Sequence, residues 1–252
     1  CLSEFNWTLA YRQADSLPNT IAERTRWIYD RVSAVYPLST MFFHSRAHRT
    51  LLAETGAIDG MQVLEVATGS GEMFRRLIGA NSRGATFGLD LSPNMAARTQ
   101  REARKKHPQS RAHCQAVDVR NLPFRNRSFD LLVCCYLLEL LGADDIRLTL
   151  REFTRVLRDD GTVSMVLIGQ NSPFFNRLYK ICGGAVPAFW GRQVDRDVPD
   201  LLRSVGLEVV RERVVRQTGY PSRVLIARKV RDEGGLGSRN GRHPAIALAP
   251  GS

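Results

Sequence analysis

A glycine-containing loop after the first apolar run is the part of the chain best suited to ligand chemistry. Gly69 and Gly71 let the backbone turn tightly and approach a ligand, and the helix expected after them would offer free N–H groups. Phe74 stands where a dinucleotide-binding G-x-G-x-x-G loop has its third glycine. Glu65 precedes the loop, where a carboxylate repels pyrophosphate and attracts a cation. The pattern favours a ligand with a cationic end, although the two glycines alone also fit an ordinary tight turn.

Two further carboxylates follow the next two predicted strands. Asp90 closes the second strand, where its oxygens can accept hydrogen bonds from both hydroxyls of a ribose. This residue alone would suit NAD equally well. Asp118 follows the third strand, where it can accept from an adenine amino group or cap a turn. Because the carboxyl ends of parallel strands meet at one edge of a sheet, we expect Glu65, Asp90 and Asp118 to line one crevice with the loop.

The elements that must position these groups alternate between strand and helix. Strands are predicted at 61–67, 85–89, 111–117, 129–137, 162–168, 207–215 and 224–229. Helices are predicted at 21–35, 40–55, 72–78, 92–106, 174–181 and 200–204, with another that carries Ile146, Leu150, Phe153 and Leu157 on one face and stops at Asp160-Gly161. Five successive β-α steps predict an α/β fold with a doubly wound, seven-stranded, mostly parallel sheet. An antiparallel C-terminal hairpin and an N-terminal helical cap complete it.

Four sequence stretches resemble a known family. LEVATGSG, GLDLSPNM, AVDVRNLPFRNRSFDLLVCCYLLELL and LREFTRVLRDDGTV resemble successive motifs of the class I S-adenosylmethionine-dependent methyltransferases. They are most similar to the ubiquinone/menaquinone-biosynthesis C-methyltransferase group, also called methyltransferase type 11. The resemblance extends from Tyr29 to Lys229, and its first part is similar to a helix that lies across the cofactor in that group. It implies a Rossmann-like methyltransferase fold and methyl transfer from S-adenosyl-L-methionine.

The resemblance also implies a cofactor site at the predicted crevice. Its residues are Glu65, Ala67, Thr68, Gly69, Ser70, Gly71, Asp90, Leu91, Met95, Asp118, Val119 and Cys135. Glu65, Ala67 and Gly69 would border the methionine end, Asp90 the ribose, Asp118 and Val119 the adenine, and Leu91 and Met95 would pack on the adenine. Ala67 replaces a usual glycine, and residues 135–139 do not match the quinone enzymes' own signature. The resemblance therefore implies the cofactor more directly than the acceptor.

Candidates for catalysis are few, because methyl transfer is an in-line displacement at an activated carbon. Positioning the acceptor supplies most of the acceleration, and a general base is needed only if the acceptor must lose a proton first. Tyr36 and Tyr136 are candidates to orient the acceptor, and His44 in the predicted cap is a candidate base. Ordinary packing is the alternative for all three. Cys134 and Cys135 have no visible base and are not expected to be nucleophiles.

The predicted organisation has four parts, and its composition constrains the partners. These are a poorly ordered extension (1–19), the helical cap (20–57), the cofactor-binding methyltransferase domain (58–230) and a disordered tail (231–252).

No C-x-x-C pair signals a metal site, and neither a signal peptide nor a run of about 20 apolar residues is present. The net charge of +11 invites anionic partners, with an Arg-rich solvated surface as the alternative. We expect a cytoplasmic protein in peripheral contact with an anionic membrane.

The favoured function is C-methylation of a small, apolar acceptor, a quinone-like precursor or related lipid. Phe174, Phe175, Phe189 and Trp190 make the segment 170–199 apolar, which suits an acceptor pocket. O- or N-methylation of a phospholipid headgroup, another metabolite or RNA is one alternative, and a non-catalytic S-adenosylmethionine-binding protein is another. A short-chain dehydrogenase is disfavoured because no Tyr-x-x-x-Lys pair is present. RNA or DNA methylation is disfavoured because no Asn/Asp-Pro-Pro-aromatic motif follows the fourth strand.

Overall fold

A computed structural model describes residues 36–169, 197–217 and 221–230, with side chains from Ser45 onward. The helices predicted at 21–35 and 174–181, most of the acceptor-pocket segment and both predicted terminal segments lie outside the described residues. No helix in the described ranges is long and apolar enough to span a bilayer.

A seven-stranded sheet forms the centre of the described structure. Its strands are β1 (Gln62–Val66), β2 (Ala85–Asp90), β3 (Arg111–Ala116), β4 (Phe129–Cys135), β5 (Leu157–Ile168), β6 (Leu207–Val215) and β7 (Ser222–Lys229). Their spatial order is β3-β2-β1-β4-β5-β7-β6. The first five strands are parallel, and β7 runs antiparallel to both β5 and β6. The doubly wound fold with its C-terminal hairpin is thereby confirmed, and the strand order reverses between β1 and β4, where such folds bind ligands.

Helices cover both faces of this sheet. They are α1 (Tyr36–Thr55), α2 (Glu72–Ala80), α3 (Pro93–Lys106), α4 (Ala143–Val156) and α5 (Val198–Ser204), with a 3₁₀ turn at Leu138–Leu140. The start of α3 agrees with the sequence, because the Ser92 side chain accepts from the Met95 N–H and Pro93 opens the helix. In α1, Ala47 and Leu51 are completely buried against the sheet. The second half of α1 therefore belongs to the helical layer beside the sheet.

The alternation of strand and helix is broken between β3 and β4, which corrects the prediction of five regular β-α steps. Residues 117–128 form a loop with no helix in it. Leu122 and Phe124 on this loop pack into the core, and the Phe124 ring lies 4.8 Å from that of Phe129 and 5.9 Å from that of Phe87 in edge-on contacts. These apolar side chains cover the sheet where a crossover helix would otherwise do so.

The end of α4 was also predicted wrongly. Leu157 continues the apolar spacing of the helix, yet α4 ends at Val156 and Leu157 is the first residue of β5. Leu157 has extended backbone angles and pairs with Phe129 on β4. Burial of Leu157 is equally favourable on a helix face and on a central strand, so periodicity could not distinguish the two.

Candidate active site

The loop between β1 and α2 has three residues with left-handed backbone angles. The φ angles of Ala67, Gly69 and Gly71 are 56°, 49° and 72°. A Cβ atom at Gly71 would lie 2.8 Å from the Thr99 hydroxyl oxygen on α3, so this position requires glycine for space as well as for conformation. Ala67 pays the left-handed penalty of about 1–2 kcal/mol, which a glycine there would avoid.

Asp90 at the end of β2 holds this loop in place. One carboxylate oxygen accepts from the Gly69 N–H at 2.7 Å, and the other accepts from the Ser92 N–H at 2.9 Å. The loop is also tied to β2 because the Thr68 N–H donates to the Leu89 carbonyl. A carboxylate can accept about four hydrogen bonds, so these two are compatible with the role at a ribose that the sequence suggests for Asp90.

Close packing of α2 on the sheet is achieved with a glycine on the strand. Phe74 is fully buried, and a Cβ at Gly88 on β2 would lie 2.8 Å from its ring and 2.9 Å from the Thr68 methyl group. A dinucleotide-binding loop obtains such closeness from a third glycine on the helix. In this protein Gly88 on β2 leaves the space. This explains how Phe74 fits at the position where a dinucleotide-binding loop has its third glycine.

Glu65 is a buried carboxyl group that forms no ion pair within the described residues, although the more distant charge of Arg75 acts on it. It is 1% exposed and lies on β1 between Gly88 of β2 and Val133 of β4. Its Oε2 atom is buried and has no hydrogen-bond partner in the described ranges. Burial, reinforced by the negative charge of Asp90, raises the pKa of Glu65 well above its usual value. The group therefore fits a ligand that brings a positive charge to this end of β1.

Glu72 lies on the other side of the loop, as the first residue of α2, and it forms an ion pair with Arg76. Its Oε1 accepts from Arg76 at 2.9 Å, and its Oε2 lies 3.5 Å from Nδ1 of the buried His48 on α1. Burial opposes ionisation of Glu72, but the contact with His48 and the hydrogen bonds from Arg76 outweigh it and lower the pKa to about 2. The free N–H groups at the helix start favour a negative charge there as well.

Asp118 has a protein partner that the sequence did not indicate. Arg120 donates to both of its oxygens, at 3.0 and 2.6 Å, and also donates to Asp145 on α4 at 3.0 Å. The Arg120 N–H further donates to Asp118 as in an Asx turn. Asp118 therefore anchors its own loop, and its acceptance from an adenine stays a prediction. Val119 and Met95 are buried, and Leu91 is half-buried.

Tyr136 directly follows β4 and has an unusual backbone conformation for a bulky residue. Its φ is 55°, and its hydroxyl lies 2.7 Å from the Ser222 hydroxyl and accepts from the Gln217 side chain at 3.2 Å. Its ring centroid is 6.2 Å from that of His48. Burial raises the pKa of Tyr136, so its hydroxyl stays protonated at neutral pH and suits an orienting role better than that of a base.

The structure gives few further contacts for the other predicted site residues. The side chains of Tyr36 and His44 lie outside the described part of the structure, so their catalytic roles stay predictions. Burial raises the thiol pKa of Cys134 and Cys135, which agrees with the expectation that neither is a nucleophile.

Four residues near the loop were not found from the sequence. His48, Glu72, Gln217 and Ser222 make the buried polar contacts around Tyr136 and the start of α2. Gln217 and Ser222 come from the C-terminal hairpin, and no sequence spacing links them to Tyr136. Of these four residues, only Glu72 could have been identified from the sequence, because it directly follows the glycine loop.

Comparisons with known proteins indicate the family to which the chain belongs. A family model described as a methyltransferase domain matches residues 63–161. The chain is 29% identical over 146 residues to the 2-phytyl-1,4-naphtoquinone methyltransferase of Trichormus variabilis, covering 56% of this chain and 63% of that protein. It is 30% identical over 165 residues to the ubiquinone/menaquinone biosynthesis C-methyltransferase UbiE of Bdellovibrio bacteriovorus, covering 62% of this chain and 67% of that one.

A solved structure has the same fold. The 1,6-didemethyltoxoflavin-N1-methyltransferase of Burkholderia thailandensis, determined with 1,6-didemethyltoxoflavin and S-adenosylhomocysteine bound, superposes with a TM-score of 0.59. The match covers 86% of this chain and 93% of that one at 17% identity, so it supports the fold alone. The chain belongs to the class I S-adenosylmethionine-dependent methyltransferases. Within that class, the sequence relatives described above are quinone methyltransferases.

Proposed function

We propose that the protein transfers a methyl group from S-adenosylmethionine to carbon of a small, apolar acceptor, a quinone-like precursor or related lipid. The observation that carries the cofactor part is the unpaired Oε2 of Glu65, buried beside the glycine loop. The ammonium group of the cofactor's methionine end supplies the cation that this carboxyl lacks. A pyrophosphate would place further negative charge beside Glu65 and Asp90, so NAD fits the site poorly.

The residues around the loop would hold the rest of the cofactor. Gly69 and Gly71 leave the backbone bare for close approach. Asp90 would accept from the ribose, and the half-buried Leu91 would offer apolar surface for the adenine. When bound, the cofactor supplies a methyl group on a positively charged sulfur.

The contribution of this chain to the reaction is then mainly one of positioning. Tyr136 is fixed by Ser222 and Gln217 next to the carboxyl end of β4, close to the point where the strand order reverses. A rigid, protonated hydroxyl there can orient an acceptor without removing a proton from it.

The apolar acceptor is supported by the names of the relatives and by the apolar character of segment 170–199. The matched stretch covers less than two thirds of the Trichormus protein, so the acceptor is a proposal for this chain. An acceptor of this kind resides in a bilayer, which makes peripheral contact with an anionic membrane part of the proposal.

A transfer assay with radiolabelled S-adenosylmethionine tests the proposal. The full chain is offered quinone precursors, phospholipids and RNA in parallel, with Glu65→Gln as the variant impaired at the cofactor and Glu208→Gln, an exposed carboxylate on β6, as its matched control. We expect label in the quinone precursor with the wild type and with Glu208→Gln. Label in RNA alone, or in phospholipid alone, would overturn the proposed acceptor. Calorimetric binding of NAD without binding of S-adenosylmethionine would overturn the cofactor site.

A further inference from the structure

One side of the molecule has more arginine than its neighbouring carboxylates balance. We call it the α1–β6 face, and it consists of Arg46, Arg49, Arg211, Arg213, Val214 and Arg216, all exposed. Glu54 pairs with both Arg211 and Arg213, and Glu212 on the same strand pairs with Arg223 instead. Arg46, Arg49 and Arg216 have no ion pair within the described residues. The face is therefore strongly cationic.

This face also has a groove with an exposed apolar residue. A depression of about 450 Å³ is lined by Arg46, Arg213 and Arg216 together with Val214 and other residues. Val214 on the edge strand β6 is 61% exposed. Arginine beside an exposed aliphatic residue suits the surface of a bilayer, where guanidinium groups meet phosphates and a short apolar side chain meets the acyl boundary. The exposed large apolar residues in the described ranges are Leu148, Val210, Val214 and Val230. None of them is aromatic, so stacking groups for single-stranded RNA are missing there.

A second basic cluster lies on α3, away from the α1–β6 face, and its positive charge stabilises the end of that helix. Arg104, Lys105 and Lys106 occupy the last turn of α3, where positive charge complements the helix C-terminus. α3 packs beside β3, the opposite edge strand of the sheet, and ends just before β3 begins. The cluster therefore lies near the amino ends of the parallel strands, away from the glycine loop. Its charge is explained by the helix, whereas that of the α1–β6 face is not.

The α1–β6 face lies at the same end of the sheet as the site. β6 and β5 both run antiparallel to β7, so the end of β6 is at the carboxyl ends of the parallel strands. Arg216 follows β6 directly, and its neighbour Gln217 donates to the Tyr136 hydroxyl at 3.2 Å and to Ser222 at 2.7 Å. The cationic groove thus continues into the polar contacts that hold Tyr136.

We propose that the α1–β6 face docks the protein onto an anionic phospholipid bilayer. Arg46, Arg49 and Arg216 contact lipid phosphates, and Val214 reaches the acyl boundary. This orientation presents the Tyr136 side of the crevice to the lipid phase, from which an apolar acceptor could enter. The inference rests on the proposed function for its purpose, but the docking itself is measured without an acceptor or cofactor.

Sedimentation of the full chain with vesicles tests the docking face. Vesicles of phosphatidylcholine with phosphatidylglycerol are compared with vesicles of phosphatidylcholine alone. The test variant is the triple substitution Arg46→Gln, Arg49→Gln, Arg216→Gln, and the matched control is Arg101→Gln, Arg104→Gln, Arg151→Gln, which removes equal charge from exposed arginines elsewhere. We expect the wild type to prefer anionic vesicles and the test variant to bind them roughly 10- to 100-fold more weakly. The control should lose only a few-fold in affinity.

The experiments distinguish failure of the docking proposal from failure of the proposed methyl transfer. Equal loss in the two triple variants, or no preference of the wild type for anionic vesicles, would overturn the docking face. Loss of RNA binding in the test variant with vesicle binding unchanged would also overturn it. Calorimetry with S-adenosylmethionine checks that both variants are folded, and the single variant Arg216→Gln should show a smaller loss in the same direction if the triple variant is unstable. Intact vesicle docking without methyl transfer to quinone precursors would overturn the proposed function alone.

Discussion

Two carboxyl groups flank the glycine loop and have opposite electrostatic environments. Glu65 at the end of β1 is buried with an unpaired oxygen, and its pKa is raised by burial and by Asp90. Glu72 at the start of α2 is also largely buried, yet its pKa is lowered to about 2 by His48 and Arg76. The two residues differ in the partners that the fold supplies and also in depth, since Glu65 is 1% and Glu72 is 8% exposed.

This difference indicates which carboxyl is structural and which is kept for a ligand. Glu72 ties α1 to α2 through His48, so its charge is used within the folded chain. Glu65 has no such use among the described residues, and burying an unpaired carboxyl lowers the stability of the free protein. Binding of a cationic ligand beside Glu65 would remove this destabilisation and so stabilise the folded protein. The comparison can be tested by neutralising each carboxyl in turn.

Glu65→Gln should have the largest effect, and its effect should be on binding. We expect S-adenosylmethionine affinity to fall about 10- to 100-fold, because a charge-assisted hydrogen bond is worth about 1.5–3 kcal/mol. Titration calorimetry measures this loss, with the exposed Glu208→Gln as the control that should bind like the wild type.

The same variant should be no less stable than the wild type without cofactor. A raised native pKa means that the wild-type protein loses stability as the pH rises above the unfolded value of the carboxyl. The advantage of Glu65→Gln in free energy of unfolding should therefore grow as the pH rises above the ordinary value of 4.5. A variant that is destabilised throughout this range and still binds the cofactor normally would make Glu65 a structural residue.

Glu72→Gln should show the reverse pattern, with loss of stability as its main effect. We expect the free energy of unfolding at neutral pH to fall by about 1.5–3 kcal/mol, because His48 and Arg76 lose an ionised partner. A lowered native pKa contributes stability above the unfolded value, and this is lost as the pH falls from 4.5 towards about 2. The difference between variant and wild type in urea unfolding should shrink over that range. Asp159→Asn, at an exposed ion pair, should cost less than about 1 kcal/mol.

Ala67→Gly should have the smallest effect, and it should stabilise the protein. Its left-handed φ of 56° costs an alanine about 1–2 kcal/mol, whereas glycine adds about 0.5–1 kcal/mol of entropy to the unfolded chain. A net gain of up to about 1.5 kcal/mol in the free energy of unfolding follows from these two terms. Ala97→Gly, at an exposed position in α3, should instead lose about 1 kcal/mol. A loss at both positions would contradict the strain assigned to Ala67.

Local patterns predicted the elements that build the site. Ser92-Pro93 predicted the start of α3, and the apolar strands with Asp90 after β2 predicted a sheet whose carboxyl ends form a crevice. These features depend on residues close together in the sequence. For the same reason, the end of α4 could not be predicted, because Leu157 joins a strand only through its pairing with Phe129.

The partners of the site residues could not be predicted. Nothing near Glu65 or Glu72 in the sequence shows that His48, on a different helix, pairs with one and not with the other. The sequence predicts that Asp118 accepts from an adenine or caps a turn, but its bidentate bond to Arg120 depends on a tight turn of the loop. Gly88 makes room for Phe74 only because α2 crosses β2 at that point. Such contacts arise from tertiary packing and leave no periodic signal.

Proton release on cofactor binding tests the role of Glu65 most directly. Calorimetric titrations of S-adenosylmethionine in buffers of different ionisation enthalpy give the number of protons exchanged. Because a cation beside Glu65 lowers its raised pKa, we expect the wild type to release protons on binding, increasingly as the pH is lowered towards the range where the free carboxyl is protonated. The release should be absent in Glu65→Gln. Equal proton release in wild type and variant, or none in either, would contradict the assignment of Glu65 to the cofactor's cationic end.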